Sequence, residues 1–136
     1  MTAVARPMPH PTPVSQAYWD AAREHRLAAP RCRACGTLFL YPRATCPACL
    51  SAELDWEQLS GRGRVYTFTV VRQAAHPAFA DDVPYVLAIV ELDEGPRLLT
   101  NVVGCDPGEV RCDQPVEVVF DDSGEVTVPK FRPVAG

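Results

Sequence analysis

The residues best suited to chemistry are two closely spaced pairs of cysteines. Cys32 and Cys35 are separated by two residues, Cys46 and Cys49 by two more, and ten residues lie between the pairs. Two intervening residues let one tight turn direct both sulfurs at a single ion, and two such turns complete a tetrahedral four-sulfur site that suits Zn²⁺. Four thiolates leave no open position for water. The spacing therefore predicts one structural zinc ion per chain.

Paired cysteines have three other common uses. Two disulfides require an oxidising compartment, but residues 1–13 lack the apolar run of a signal peptide, and no stretch approaches the length of a membrane span. We therefore expect a cytoplasmic chain, in which such pairs are more often metal ligands. A thioredoxin-like redox motif would not need a second pair. A rubredoxin-type iron site has the same spacing, so iron stays open beside zinc.

No other group of residues forms a complete catalytic set. The sequence has no nucleophile elbow, no phosphate-binding P-loop and no dinucleotide fingerprint. Cys105 and Cys112 lie outside the pairs. They could supply a reactive thiol or form a redox pair, but we favour two small residues at strand ends. We therefore predict no catalytic residues in this chain.

Two further features are candidates for binding a ligand. Arg62 and Arg64 lie in a Gly-Arg-Gly-Arg segment, where two guanidinium forks could hold coenzyme phosphates. A hinge between two modules explains the same segment, and we favour it. His76 and Phe79 lie in the longest internal loop and could touch a ligand, although a solvated loop histidine is the simpler interpretation.

The N-terminal third predicts a tail, a helix and a ribbon. Residues 1–14 are rich in proline and lack an apolar face, which predicts a disordered tail. Ser15 can cap a helix that runs to about Arg26. This helix is too short to be stable alone, so Tyr18 and Trp19 must pack on the chain itself or on a partner, and both are candidate partner contacts. Residues 38–41 predict a short hairpin arm between the cysteine pairs.

The remainder predicts five strands, over residues 64–72, 85–92, 97–103, 115–120 and 126–131. Turn residues at 94–95 and 123–124 predict two hairpins. Alternation in the first strand places Tyr66, Phe68 and Val70 on one face. Five strands without an intervening helical pattern favour a small barrel of the OB-fold type. The predicted fold is thus mainly β: an N-terminal helix and zinc ribbon (residues 15–59), then a five-stranded OB-fold barrel (residues 60–133).

The charge of the chain limits its partners. The formal net charge is −4, and the basic residues comprise twelve arginines and one lysine. This balance argues against strong attraction to nucleic acid or to an anionic membrane. Binding of single-stranded nucleic acid nevertheless stays an alternative function, because Tyr66, Phe68 and Tyr85 could stack on bases. A rubredoxin-like electron carrier is a further possible function, and it would require iron in the four-cysteine site.

The order of these pieces resembles the DUF35 family, in which a rubredoxin-like zinc ribbon precedes an OB-fold. The similarity extends over about residues 15–133. The matching segments are Tyr18-Trp19, Cys32 to Gly36, Tyr41 to Arg43, Cys46 to Cys49, Ser60 to Gly63, Val65 to Val71, Pro84 to Val86, Leu99 to Gly104 and Val128 to Pro133. Leu50 departs from the pattern, because a glycine often follows the last cysteine of such a turn.

This resemblance implies a role beside acyl-CoA enzymes. Members resemble small accessory subunits of thiolase-superfamily enzymes, including thiolases and lipid-transfer-protein-like aldolases of steroid side-chain degradation. There the OB domain docks on the large subunit and helps to form the acyl-CoA site, while the catalytic residues belong to that partner. The resemblance thus implies a zinc-binding, non-catalytic subunit of a hetero-oligomer, expected to be a heterotetramer that shares acyl-CoA with its partner. It makes acyl-CoA the expected ligand of the candidate binding residues Arg62, Arg64, His76 and Phe79.

Overall fold

The computed structural model describes residues 8–134, which contain one α-helix and seven β-strands. No helix within this range is long and apolar enough to pass through a membrane. The elements are α1 (Gln16–Arg23), β1 (Ala28–Cys32), β2 (Leu54–Gln58), β3 (Arg62–Val71), β4 (Tyr85–Leu92), β5 (Arg97–Val102), β6 (Pro115–Asp121) and β7 (Val128–Pro133).

Strands β3 to β7 close into a barrel in the order β3-β4-β5-β7-β6. All neighbours are antiparallel except β5 and β7, which meet in parallel at one pair, Val102 and Phe131. Phe131, Leu92 and Val65 fill the interior and are fully buried. The five-stranded OB-fold barrel and its two hairpins confirm the prediction. Each strand begins and ends within two residues of the predicted positions.

The predicted side-chain alternation of β3 is wrong at Tyr66. The register with β4 shifts between Val65 and Thr67, at a β-bulge. Because a bulge inserts one unpaired residue, the alternation reverses after it. Phe68 therefore packs against the core, whereas Tyr66 is 46% exposed and lies 3.8 Å under the guanidinium of Arg97. Tyr66 and Phe68 do not share a face.

Helix α1 is shorter than predicted and ends at Arg23 instead of near Arg26. His25 adopts a left-handed backbone with φ of 59°, and the Arg26 N–H then donates to the Ala21 carbonyl at 2.8 Å. This closing bond terminates a helix, although glycine usually supplies the left-handed residue. The imidazole of His25 stacks on the ring of Phe120, with centroids 5.1 Å apart. A side-chain contact with the barrel thus accompanies the turn.

The segment before α1 bears on two predictions. Of the predicted disordered tail over residues 1–14, residues 1–7 lie outside the described residues, and residues 8–12 form neither helix nor strand. Disorder of this tail stays a prediction. Ser15 precedes α1, but its side chain caps no helical N–H. Its hydroxyl instead accepts the N–H of Thr12 at 2.9 Å.

The ribbon is built on β1 and β2, which flank the two cysteine pairs and run antiparallel to each other. The predicted hairpin arm over residues 38–41 is wrong, because this segment makes only an isolated bridge from Leu38 to Arg31. It follows the outer edge of β1, where the Phe39 N–H donates to the Pro30 carbonyl at 3.1 Å. Strand β1 lacks the β-branched and aromatic residues by which strands are predicted.

Helix, ribbon and barrel share one hydrophobic core. Tyr18 of α1, Leu40 of the ribbon and Leu59 pack with barrel residues such as Val90 and Phe131. The hydrophobic core therefore continues across the predicted boundary between residues 15–59 and residues 60–133. These domain limits stay predictions. The ribbon is fixed to the barrel by apolar packing in addition to the backbone connection.

Candidate metal centre

Two turns of the same hydrogen-bonding pattern bring the four cysteines together. In the first turn the Cys32 N–H donates to the Thr37 carbonyl at 2.8 Å, and the Gly36 N–H donates to the Cys32 carbonyl at 2.9 Å. In the second turn Cys46 pairs with Ser51 and Leu50 in the same two ways, at 2.8 and 2.9 Å. Each turn therefore presents its two sulfurs on one side, as the spacing predicts.

The residue after each cysteine pair has a left-handed backbone. Gly36 has φ of 80°, and Leu50 has φ of 66° in the equivalent position. Glycine adopts this conformation without steric cost, whereas leucine does not. The leucine side chain is 76% exposed, so burial does not compensate for the backbone strain. The departure from the family pattern at Leu50 is thus tolerated rather than stabilising.

The four sulfurs form a compact cluster. They lie within 4.8 Å of one another, with 3.5 Å between Cys32 and Cys49 and 3.6 Å between Cys35 and Cys46. A tetrahedron with metal–sulfur bonds of about 2.3 Å has edges of about 3.8 Å. The separations therefore match a four-thiolate metal site, and the described cysteines are not joined as disulfides.

The cluster is closed on one side and open on the other. Cys32 and Cys46 are fully buried and pack with Phe39, against which Leu54 also lies. Cys35 and Cys49 are exposed. An ion held here would be anchored from inside the ribbon while its outer ligands face solvent, which suits a structural site with a full set of protein ligands.

Hydrogen bonds favour the thiolate form at Cys35, whereas the pKa of Cys49 rises to about 12, because the hydrogen bond from the Ser51 backbone is outweighed by contacts with the neighbouring thiols of Cys32 and Cys35. The hydroxyl of Thr37 lies 3.1 Å from the Cys35 sulfur, and this contact, with the Thr37 backbone, lowers the pKa of Cys35 to about 6. The Ala48 N–H donates to the Cys46 sulfur at 3.3 Å. Thr37 and Phe39 support the site but were missed in the sequence. In the sequence, the only indication of this supporting role is that both residues lie within four positions of the first cysteine pair.

The Gly-Arg-Gly-Arg segment has a structural explanation. A Cβ atom on Gly63 would lie 2.4 Å from the Glu91 carbonyl oxygen, so only glycine lets β3 approach β4 here. Arg64 is bound to Glu91 at 2.7 Å and lies 3.6 Å from Asp113. Arg62 is exposed, and among residues 8–134 no side chain forms an ion pair with it.

The structure does not bring the four candidate acyl-CoA residues to one site. Arg62 and Arg64 lie at the start of β3, whereas His76 and Phe79 follow its far end, about 30 Å along a strand of this length. The His76 ring contacts the Phe79 ring with centroids 6.1 Å apart. Phe79 lines a largely apolar cleft of about 530 Å³ with Leu87, Val103, Cys105 and Lys130 among its walls.

Cys105 and Cys112 show no sign of redox chemistry. Cys105 lies in the wall of the Phe79 cleft, where burial, with the nearby Glu109 and Asp106 carboxylates, raises its thiol pKa. A raised pKa disfavours the reactive thiolate. Cys112 is exposed, and both thiols are free.

The two candidate partner contacts have different surroundings. Tyr18 is buried in the core of the chain, and burial raises its phenol pKa above the ordinary value. Trp19 is half-buried and lines a second apolar cleft of about 340 Å³, together with Leu40, Tyr41, Leu98 and Leu99. Of the pair, only Trp19 offers a substantial surface to another molecule.

These features define the class: a zinc ribbon followed by an OB-fold. Residues 19–55 match the family profile "ChsH2, rubredoxin-like zinc ribbon domain", and residues 56–121 match "ChsH2, C-terminal OB-fold domain". A DUF35 domain-containing scaffold protein of Methanocaldococcus jannaschii is 40% identical over 125 residues, which cover 85% of this chain and 88% of that protein. The chain belongs to the DUF35 family.

Two other relatives have names that refer to acyl-CoA enzymes. A probable enoyl-CoA hydratase alpha subunit of Thermomonospora curvata is 43% identical over 119 residues, which cover 86% of this chain but 37% of that protein. This chain thus spans little more than a third of that relative. The benzoylsuccinyl-CoA thiolase subunit BbsA of Thauera aromatica is 33% identical over 90 residues, 65% of this chain and 58% of the relative.

The fold also matches a solved structure described as "Ltp2-ChsH2(DUF35) aldolase". A chain in that structure superposes with a TM-score of 0.85 at 38% identity, over 94% of this chain and 100% of the other. The resemblance predicted from the sequence is therefore confirmed in both fold and family.

Proposed function

We propose that this chain is a non-catalytic, zinc-binding accessory subunit. It docks on a thiolase-like or lipid-transfer-protein-like enzyme, an aldolase or thiolase, and helps to form the complex and its acyl-CoA site. Relatives named as scaffold proteins and as subunits of acyl-CoA enzymes support this role. The observation that carries it is an uncharged face on the outside of the barrel that exposes two leucines.

This docking face consists of the outward side chains of β3, β4 and β5 in two cross-strand rows. One row is Thr67, Ile89 and Leu99, and the other is Thr69, Leu87 and Asn101. Leu99 is 54% exposed and Leu87 is 36% exposed. None of the six side chains is charged, although charged residues make up 22% of the chain. An apolar surface of this kind is typical of a protein interface.

The same face argues against the alternative function, which is binding of single-stranded nucleic acid. OB-folds bind oligonucleotides on their second and third strands, which are β4 and β5 here, and single-strand binding needs a basic groove. The rows contain no lysine or arginine, and Arg97 at their end is held by Glu91 at 3.2 Å. We therefore expect a protein partner and no nucleic acid.

We propose zinc as the ion of the four-cysteine site, with a structural role. The ribbon has a small core around Phe39 and Leu54, so metal binding supplies much of the free energy that folds it. The relevant alternative is iron, as in a rubredoxin-like electron carrier. Elemental analysis of the purified protein identifies the metal directly. A visible absorption spectrum is a second test, because a four-thiolate iron site absorbs visible light and a zinc site does not.

The acyl-CoA site is proposed to be shared with the partner, in a cytoplasmic heterotetramer. The Phe79 cleft is suited to the apolar part of the ligand, and the proposed role of His76 rests on its ring contact with Phe79. The proposed phosphate contact lies at the other end of β3 from this cleft, so the ligand would have to extend along the strand to use both. Arg62 is the better candidate for that contact, because Arg64 would first have to release Glu91. Trp19, beside the docking face, is proposed to contact the partner, and buried Tyr18 to support it from behind.

The docking face is tested by charge substitution. Leu99→Glu places a carboxylate on the docking face, at a leucine that is 54% exposed, whereas Leu50→Glu makes the same change at an exposed leucine of the ribbon. Each variant is mixed with a purified thiolase-superfamily protein of the same organism, and the Kd is measured by calorimetry. We expect Leu99→Glu to weaken binding by about 30-fold or more, as for loss of an interface hot spot, and Leu50→Glu to bind normally.

Two results would contradict the proposal. Normal binding by Leu99→Glu would show that the partner does not use this face. High affinity of the chain for a fluorescent single-stranded oligonucleotide, with no affinity for the thiolase-superfamily protein, would favour the alternative function.

A further inference from the structure

One edge of β5 is completed by the ribbon instead of by the barrel. Strand β5 pairs with β4 from Arg97 to Val102, but on its other side its backbone pairs with β7 only at Val102, and the Thr100 hydroxyl donates to the Pro129 carbonyl. The N–H of Leu99 points to this second side and donates to the phenol oxygen of Tyr41 at 2.9 Å. Tyr41 belongs to the segment between the cysteine pairs, so a ribbon side chain occupies the position of a missing strand.

The residues around Tyr41 link the metal cluster to this edge. Phe39 packs with the buried ligands Cys32 and Cys46. The next residue, Leu40, packs into the barrel core, and Tyr41 reaches β5. Three successive side chains thus contact the metal cluster, the barrel interior and the barrel edge in turn.

Tyr41 itself has an unfavourable backbone. Its φ is 64°, in the left-handed region that a non-glycine residue seldom adopts. Such a conformation persists only where the surrounding structure fixes it. Pro42 after it and Leu40 before it limit the local freedom, and the bond to Leu99 fixes the ring.

We infer that Tyr41 couples occupancy of the metal site to the order of the β5 edge. Metal binding fixes Cys32 and Cys46, these fix Phe39, and the segment then holds the Tyr41 phenol against the Leu99 N–H. Loss of the metal frees the segment and leaves that N–H to solvent. The coupling needs no partner, but its consequence rests on the proposed function: Leu99 belongs to the docking face, so metal loss would loosen that face before the barrel unfolds.

Amide hydrogen exchange of the full zinc-loaded chain, measured by NMR, tests the coupling. In Tyr41→Phe we expect the Leu99 amide to exchange at least about fivefold faster, as for loss of one net hydrogen bond. The Leu98 and Thr100 amides point to β4 in the alternating ladder and should keep their protection. The matched control is Tyr66→Phe, because that exposed phenol makes no described hydrogen bond and its loss should change none of the three rates.

Removal of zinc with a chelator supplies the second arm. We expect the wild-type Leu99 amide to accelerate to the Tyr41→Phe rate, and the Tyr41→Phe variant to show no further change at Leu99. Unchanged Leu99 exchange in Tyr41→Phe, or in the zinc-free wild type, would overturn the inference. Equal acceleration at Leu98, Leu99 and Thr100 on zinc removal would also overturn it, because the metal would then support the whole barrel rather than this edge. None of these readouts involves the partner, so failure here is separate from failure of the proposed function.

Discussion

Leu50 provides a direct test of the metal-site geometry, because its backbone strain can be removed by one substitution. Leu50 and Gly36 occupy equivalent positions after the two cysteine pairs, with φ of 66° and 80°. A non-glycine residue in the left-handed region costs about 1–2 kcal/mol. Glycine loses more backbone freedom on folding, which offsets about 0.5–1 kcal/mol of this. The side chain of Leu50 is 76% exposed, so its removal loses little burial.

Leu50→Gly should therefore stabilise the zinc-loaded protein by about 0.5–1 kcal/mol. For a chain of this size, that raises the Tm by about 2–5 °C. Gly36→Ala should have the opposite effect of similar size, because its new Cβ meets open space and only the backbone is strained. Thermal unfolding followed by circular dichroism gives the Tm. A chelator competition should show tighter zinc binding by Leu50→Gly, since metal binding is coupled to folding of the ribbon.

Leu50→Ala is the control for this pair, since it removes the leucine side chain but retains the strained backbone, and its Tm should stay near that of the wild type. The reasoning is refuted if Leu50→Ala stabilises as much as Leu50→Gly, or if Leu50→Gly lowers the Tm. Either result would mean that the backbone at Leu50 does not carry the assigned strain.

Three further predictions concern the barrel and the metal. Gly63→Ala should destabilise the protein to denaturant by about 2–3 kcal/mol, because its Cβ would lie 2.4 Å from a β4 carbonyl that cannot move alone. Asp121→Asn should cost about 1 kcal/mol near neutral pH, because it breaks the 2.8 Å bond to Lys130. That bond holds the Asp121 pKa well below its usual range, so the stabilisation is present above about pH 4 and is lost as the pH falls through the lower folded-state pKa. Cys49→Ser should lose zinc and partner binding together.

The first and last of these have matched controls within the chain. A Cβ on Gly108 would have its nearest neighbour at 3.4 Å, so Gly108→Ala should be close to neutral. Cys112 is exposed and outside the metal site, so Cys112→Ser should retain both zinc and partner. Retained zinc and a retained complex in Cys49→Ser would contradict the structural role of the metal. A stability difference between Asp121→Asn and the wild type that does not shrink with acid would contradict the pairing with Lys130.

The four cysteines and the five barrel strands could be predicted because they depend on local patterns. Two-residue spacing within each cysteine pair fixes a tight turn, and runs of alternating apolar residues specify strands wherever they pack. The helix limit was not predictable in the same way. A left-handed histidine ends α1, and its ring contacts Phe120, which is remote in the sequence.

The remaining differences also arise from tertiary contacts. The bulge that exposes Tyr66 appears only in the register between β3 and β4. The ribbon pairs β1 with β2 across the whole metal loop, and β1 has no strand-forming pattern of its own. Tyr41 was predicted as part of a hairpin arm and of a family motif, but nothing local in the sequence indicates that its phenol completes the edge of β5. Local sequence patterns of a few residues do not indicate which distant segments of the chain pair with each other.

In the proposed function, a metal-ordered, non-catalytic chain assembles with a thiolase-superfamily enzyme. This assembly is tested by co-expression with thiolase-superfamily proteins of the same organism, followed by size exclusion with light scattering and metal analysis of the eluted peak. The account predicts a single complex of heterotetramer mass that contains one zinc per copy of this chain. Elution of this chain alone, or a complex whose copies of this chain contain no zinc, would contradict it.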